Sequence, residues 1–110
     1  MTQAIKNVVL YCRVSTDDQS CDRQQRDLLA YAERAGYTVI DTYIETASGA
    51  KNDRAKRATV MQLARERRID AVLVTELTRW GRNTLDLLST LQTMADYKVS
   101  VIAQTGMNFD

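Results

Sequence analysis

Apolar and polar positions follow two alternating periods along the chain. Asn7–Cys12 (NVVLYC) is short, apolar and β-branched, and predicts a buried strand. A polar loop, Arg13–Ser20, follows. From about Cys21 to Ala35 the apolar residues Leu28, Leu29, Ala32 and Ala35 recur at helical spacing, and Gly36 is a natural C-terminal stop. Thr38–Glu45 (TVIDTYIE) alternates and predicts a second strand, and Ala47–Arg54 (ASGAKNDR) has the chemistry of a turn-rich loop. Val60, Met61 and Ala64 mark a helix from about Arg57 to Arg67, and Ala71–Glu76 (AVLVTE) a third strand. After the polar connection Leu77–Asn83, Asn83 or Thr84 is placed to cap a helix. This helix carries Leu87, Leu88, Leu91, Met94 and Ala95 on one face and ends near Lys98. Val99–Gln104 (VSVIAQ) is a fourth strand.

The order β-α-β-α-β-α-β implies an α/β fold: a mainly parallel sheet of four to five strands with helices on both faces. No repeat, low-complexity segment or internal linker divides the 110 residues, which read as one domain. No apolar run approaches the roughly 20 residues of a membrane helix. The start, MTQAIKNVVLYCRV, lacks the pattern of a signal peptide. Two cysteines, Cys12 and Cys21, make neither a disulfide framework nor a four-ligand zinc site.

Composition narrows the chemistry through an absence. The chain has no histidine, so it contains no Ser-His-Asp or Cys-His arrangement, no histidine-ligated metal and no histidine phosphorelay. The net charge of +1 suggests no partner, but its distribution does. Residues 51–82 hold nine Lys or Arg, mostly Arg, against four Asp or Glu, and the segments on either side are net acidic. A basic middle fits a polyanion, and arginine favours bidentate phosphate contacts; a solvated helix face is the plainer account of the same residues.

In parallel sheets ligands bind beyond the carboxyl ends of the strands. Three polar connections emerge there, bringing Ser15, Thr16 and Ser20 together with Arg13, Arg54, Arg79 and Arg82 from distant parts of the chain. Several arginines around a phosphodiester would neutralise it and stabilise the charge of a pentacoordinate transition state. A following helix N-terminus adds amide donors. The pattern is compatible with phosphoryl transfer to a serine without an obligatory metal. Each element has a simpler explanation: the hydroxyls as helix caps, Asp17, Asp18 and Asp22 as partners of a helix dipole, Tyr11 as a core residue with a satisfied hydroxyl, Trp80 as a loop anchor and Cys12 as a small buried hydrophobe.

The run Tyr11-Cys12-Arg13-Val14-Ser15-Thr16-Asp17-Asp18-Gln19-Ser20 resembles the Y-x-R-V-S-T-x-x-Q-S signature of the serine recombinases, the resolvase and invertase family. The likeness continues through Asp22-Arg23-Gln24, Ala47-Ser48-Gly49, Asp53-Arg54 and Leu77-Thr78-Arg79-Trp80-Gly81-Arg82, in order and over essentially the whole chain. The resemblance implies a catalytic domain in which Ser15 attacks a DNA phosphodiester, forming a 5′-phosphoserine link and freeing a 3′-hydroxyl. It implies that Arg13, Arg79, Arg82 and Arg54 surround the phosphate and that Tyr11, Gln19 and Gln24 organise the site. Supporting roles fall to Asp53, Glu45 and Arg65. It further implies strand exchange by homodimers and homotetramers of a longer protein on DNA. No cofactor, metal, ATP or membrane is implied, and the setting is the cytoplasm of a prokaryote carrying a mobile element or phage. The family's long dimerisation helix and DNA-binding domain have no counterpart here, so the chain alone is expected to be a weak or inactive monomer. One residue departs from the pattern, Thr78 standing where the family usually has Asp. Two other readings remain at this point: a metal-dependent nuclease using Glu45, Asp41, Asp53 or Glu76, and a flavodoxin-like binding module without catalysis.

Overall fold

In the computed structural model, residues 6–15, 20–47, 55–77, 80–81 and 83–104 are described. The elements are β1 (Asn7–Ser15), α1 (Ser20–Ala35), β2 (Thr38–Ala47), α2 (Ala55–Arg65), β3 (Ala71–Val74), α3 (Thr84–Asp96) and β4 (Ser100–Ala103). The strands form one parallel sheet in the order β2-β1-β3-β4. The two central strands account for the two most apolar runs. Val8 to Cys12 and Ala71 to Val74 are all buried, as expected for strands covered on both faces. Leu28 and Ala32 of α1 cover Val8, Leu10 and Cys12 on one face. Val60 and Ala64 of α2 and Met94 of α3 cover Val9, Tyr11, Val72 and Val74 on the other. Among the described residues, no helix is long and apolar enough to cross a membrane.

Several boundaries move from where local pattern puts them. β1 does not stop at Cys12 but continues through Ser15, because Arg13, Val14 and Ser15 pair with Glu45, Thr46 and Ala47 on β2. Conversely, Thr75 and Glu76 lie beyond the end of β3. The first and third helices also bury narrower faces than their apolar residues suggest. Leu29 is 45% exposed and Leu88 55%, while the polar Thr90 is buried. Helices α2 and α3 close on Arg67 (φ 59°) and Lys98 (φ 62°). Arg68 N–H then returns to the Leu63 carbonyl and Val99 N–H to that of Met94. These left-handed closures usually fall on glycine, so the sequence carries no stop signal there.

The register of β2 against β1 slips once, between Val8 and Val9, whose partners are Val39 and Asp41. A bulge of this kind reverses the inside-outside sense of everything beyond it. Val39 therefore joins the α1 face while Tyr43, an even number of residues later, joins the α2–α3 face. Glu45 arrives on the same side as Tyr11, and the candidate site is built there.

Candidate active site

The strand order sets where a ligand would lie. The chain leaves β1 toward β2 on one side, then crosses back over β1 to β3 on the other. Connections leaving the carboxyl ends of β1 and β3 therefore diverge, and a crevice opens between them. Ser15 is the last residue of β1, in register with Ala47 at the end of β2. Arg13, two residues earlier, is half-buried and pairs in register with Glu45.

Tyr11 lies wholly inside the core, and its hydroxyl donates to Glu45 Oε1 at 2.9 Å. Glu45 is itself 7% exposed and accepts two amides from the first turn of α2: Lys56 N–H at 3.0 Å and Arg57 N–H at 3.3 Å. A carboxylate at a helix N-terminus satisfies donors with no partner in the helix and faces the positive end of its dipole. This cap comes from β2, which explains why the helix begins at Ala55 rather than at the Arg57 that local periodicity suggests. Tyr11 thus fixes the residue that seats α2. Removing its hydroxyl in Tyr11→Phe should cost about 1.5–3 kcal/mol, the range for a hydrogen bond to a charged acceptor. Chemical denaturation would show this as a lower midpoint with an unchanged slope. An unchanged midpoint would mean the bond contributes nothing.

The connection after β3 is anchored at its middle. Trp80 N–H and Gly81 N–H both return to the Leu77 carbonyl, at 2.9 and 3.1 Å. The Trp80 side chain is completely buried and its indole N–H donates to Thr90 Oγ1 at 3.0 Å. Its ring meets Tyr11 edge to face, with centroids 5.4 Å apart and planes at 79°. Gly81 is buried against α3: a Cβ there would stand 2.6 Å from Leu87 Cβ and 2.9 Å from its Cα. Gly81→Ala should therefore push the connection off α3 and cost about 1–3 kcal/mol, as overpacking does. A thermal melt that does not move would show the backbone yields freely. Asn83 caps α3 as the sequence suggests, its side chain accepting from Asp86 N–H at 2.8 Å.

One participant is not visible in the sequence. The guanidinium of Arg57 is bidentate on Asp86, with Nη2 to Oδ1 at 3.1 Å, and Nη1 also donates to the Trp80 carbonyl at 2.9 Å. Its central carbon stands 5.8 Å from the Trp80 ring centroid. Arg57 reads from sequence as one cation in a basic stretch. Only the position of Asp86, twenty-nine residues on, shows otherwise.

Other expected site residues fall as follows. Gln24 is buried in the second turn of α1. Arg65 is exposed at the far end of α2, about 12 Å along the helix axis from Arg57. It stands at the opposite end of α2 from the Glu45 cap. Arg79 and Arg82, flanking the Trp80–Gly81 anchor, lie outside the described residues, as do Arg54, Asp53, Gln19 and Thr78. Among the described residues no three of His, Cys, Asp and Glu cluster as metal ligands. Asp41 accepts from Thr42 N–H, and Glu45 is engaged as above. Tyr43, beside Tyr11 in register, has its phenol pushed up by burial, then by a hydrogen bond and the charge of Asp41, so it adds no anion near neutral pH.

Comparison with known proteins agrees with this fold. The family model described as "Resolvase, N terminal domain" matches residues 8–110. The Transposon Tn2501 resolvase of Escherichia coli is 31% identical over 108 residues, covering 94% of this chain and 54% of its own length. Among solved structures, a resolvase family site-specific recombinase from Streptococcus pneumoniae superposes with a TM-score of 0.82 at 32% identity, covering 94% of this chain and 75% of that one. The N-terminal catalytic domain of TP901-1 integrase gives 0.78 at 35% identity, covering 89% and 76%. The chain spans about half the length of the curated relatives it matches. With the family model matched along nearly its whole length and the fold shared, the chain belongs to the resolvase N-terminal domain family.

Proposed function

We propose that this chain is the catalytic domain of a site-specific DNA recombinase, with Ser15 as its nucleophile. Ser15 Oγ attacks the phosphorus of a DNA phosphodiester. The Oγ–P bond forms, the P–O3′ bond breaks, the serine proton is lost and the departing oxygen takes one up as a 3′-hydroxyl. Arg13, Arg54, Arg79 and Arg82 neutralise the phosphate and hold the extra charge of the transition state, and preorganised donors of this kind are each worth about 10²–10³ in rate. The phosphoserine link conserves the energy of the broken bond, so rejoining by a 3′-hydroxyl needs no ATP. Assembly of two and then four subunits on DNA, in a longer protein that also carries the target-recognition domain, completes the reading. It deepens the family membership with one structural observation. The strand that ends in Ser15 lies next to the strand whose exit loop, pinned at Trp80 and Gly81, carries Arg79 and Arg82.

The test uses full-length protein carrying this chain and total genomic DNA of its source cells, incubated in EDTA. The reaction is quenched with detergent, the DNA digested and the protein mapped by mass spectrometry. A nucleotide on Ser15 is expected. Cleavage that appears only when magnesium is restored, with Ser15 unmodified, would move the assignment to a metal-dependent nuclease. DNA bound but never cut would leave a binding module.

A further inference from the structure

We infer that Arg57 is a positioning residue for the arginine loop after β3, acting through the carbonyl of Trp80 and the carboxylate of Asp86. This rests on the recombinase reading for the reaction it serves. Arg57 joins three of the elements that meet at the site. Its amide is held by Glu45 at the end of β2, and its guanidinium grips both the Trp80 carbonyl and the first turn of α3. The Trp80 carbonyl belongs to the peptide leading into Gly81, so fixing it fixes the backbone between Arg79 and Arg82. The same group also covers the face of the ring that anchors that backbone.

Stability alone does not explain the choice of residue. The Arg57 and Asp86 side chains are only 11% and 14% exposed, and a buried ion pair of this sort gains little over well-packed apolar side chains. A planar fork of donors does supply orientation. It holds a carbonyl and a carboxylate at once through a rigid set of donors, which neither an apolar side chain nor a lysine supplies. Misplacement of catalytic groups by about 1 Å can cost about 100-fold in rate. A clasp that fixes the loop's backbone is therefore where geometry at the phosphate would be set.

The experiment has two arms. Trp80 is the sole tryptophan of this chain, so acrylamide quenching of its fluorescence reports directly on the loop. Arg57→Met keeps the apolar stem and removes every donor; Arg57→Lys keeps the charge and loses the fork; Asp86→Asn removes the partner's charge and leaves the Asn83 cap in place. In the first arm, Arg57→Met should raise the quenching constant about threefold, Asp86→Asn should raise it less, and Arg57→Lys should fall between wild type and Arg57→Met. In the second arm, full-length proteins are scored for Ser15 adduct formation on genomic DNA, per folded molecule. Arg57→Met should lower the rate at saturating DNA about 30-fold and leave the half-saturating DNA concentration within about twofold, with partial rescue by lysine. Unchanged quenching in folded Arg57→Met overturns the clasp. Raised quenching with an unchanged rate per folded molecule overturns its role in the reaction. If Arg57→Met does not fold, Asp86→Asn is judged by the same two outcomes. A wild-type protein that forms no adduct removes the recombinase reading and the role assigned here in it, while the quenching arm still decides the clasp.

Discussion

Ser15→Ala is expected to abolish covalent protein–DNA adducts, lowering their formation by at least about 10³-fold, and to leave binding of DNA within a few-fold. The reason for the separation is chemical. In the proposed reaction the hydroxyl is the nucleophile, and without it this bond to phosphorus does not form. Affinity for DNA comes chiefly from cations facing phosphates, and the variant removes none of them. Stability should also hold. Ser15 ends β1 with its backbone in register with Ala47, a pairing that alanine keeps, so the change should stay within about 0.5 kcal/mol. Quantifying the adduct beside a filter-binding curve and a thermal melt checks all three. An adduct persisting in Ser15→Ala would place the nucleophile elsewhere. Losing adduct and DNA binding together would mean Ser15 acts as a cap for the loop it begins.

The partition between what the sequence shows and what it hides follows the range of the forces involved. Apolar runs and helical spacing are local, so the element order and the sheet were legible. The exposed caps Gly36 and Asn83 were legible for the same reason, since each satisfies backbone groups within a few residues of itself. Tyr11 and Cys12 fell where the plainest reading of each puts them, in the core, and Trp80 anchors its connection as its plainest reading suggests. The features that build the site are of another kind. The bulge at Val8–Val9 turns Glu45 toward Tyr11, and no run of residues marks it, because both strands remain regular on either side. The Glu45 cap on α2 crosses from one element to another, and the Arg57–Asp86 pair joins residues 29 apart in the chain. Such contacts depend on register and crossover, which a linear pattern does not contain. The same limit explains the overestimated helix faces. Leu88 has the right spacing for the core but is exposed, while Thr90 faces inward and accepts from the Trp80 indole.

Trp80→Ala is the substitution expected to damage the fold most. The ring is fully buried, sits edge to face on Tyr11 and lies under the Arg57 guanidinium, so its removal takes away apolar burial, an aromatic contact and a cation–π contact at once. Truncations of this size cost about 3–5 kcal/mol. A domain of this length has about 5–15 kcal/mol in total, so at least about a fifth of its stability would go. At about 4 °C per kcal/mol the melting temperature should fall by about 12–20 °C. Trp80→Phe separates the ring from its polar edge. It keeps an aromatic ring for Tyr11 and loses the indole donor to Thr90 together with part of the ring's volume. The Thr90 hydroxyl still donates to the Asp86 carbonyl at 2.8 Å, so no buried group is orphaned and the cost should stay near about 1 kcal/mol. The two variants should also differ in chemistry. With Trp80→Phe the connection between Leu77 and Asn83 keeps its anchor, and adduct formation should remain within about tenfold of wild type. With Trp80→Ala the backbone bearing Arg79 and Arg82 loses it, and the rate per folded molecule should drop by about 100-fold, as expected for misplaced transition-state donors. Equal melting temperatures for wild type and Trp80→Ala would mean that α3 closes over the gap and holds the loop without the ring.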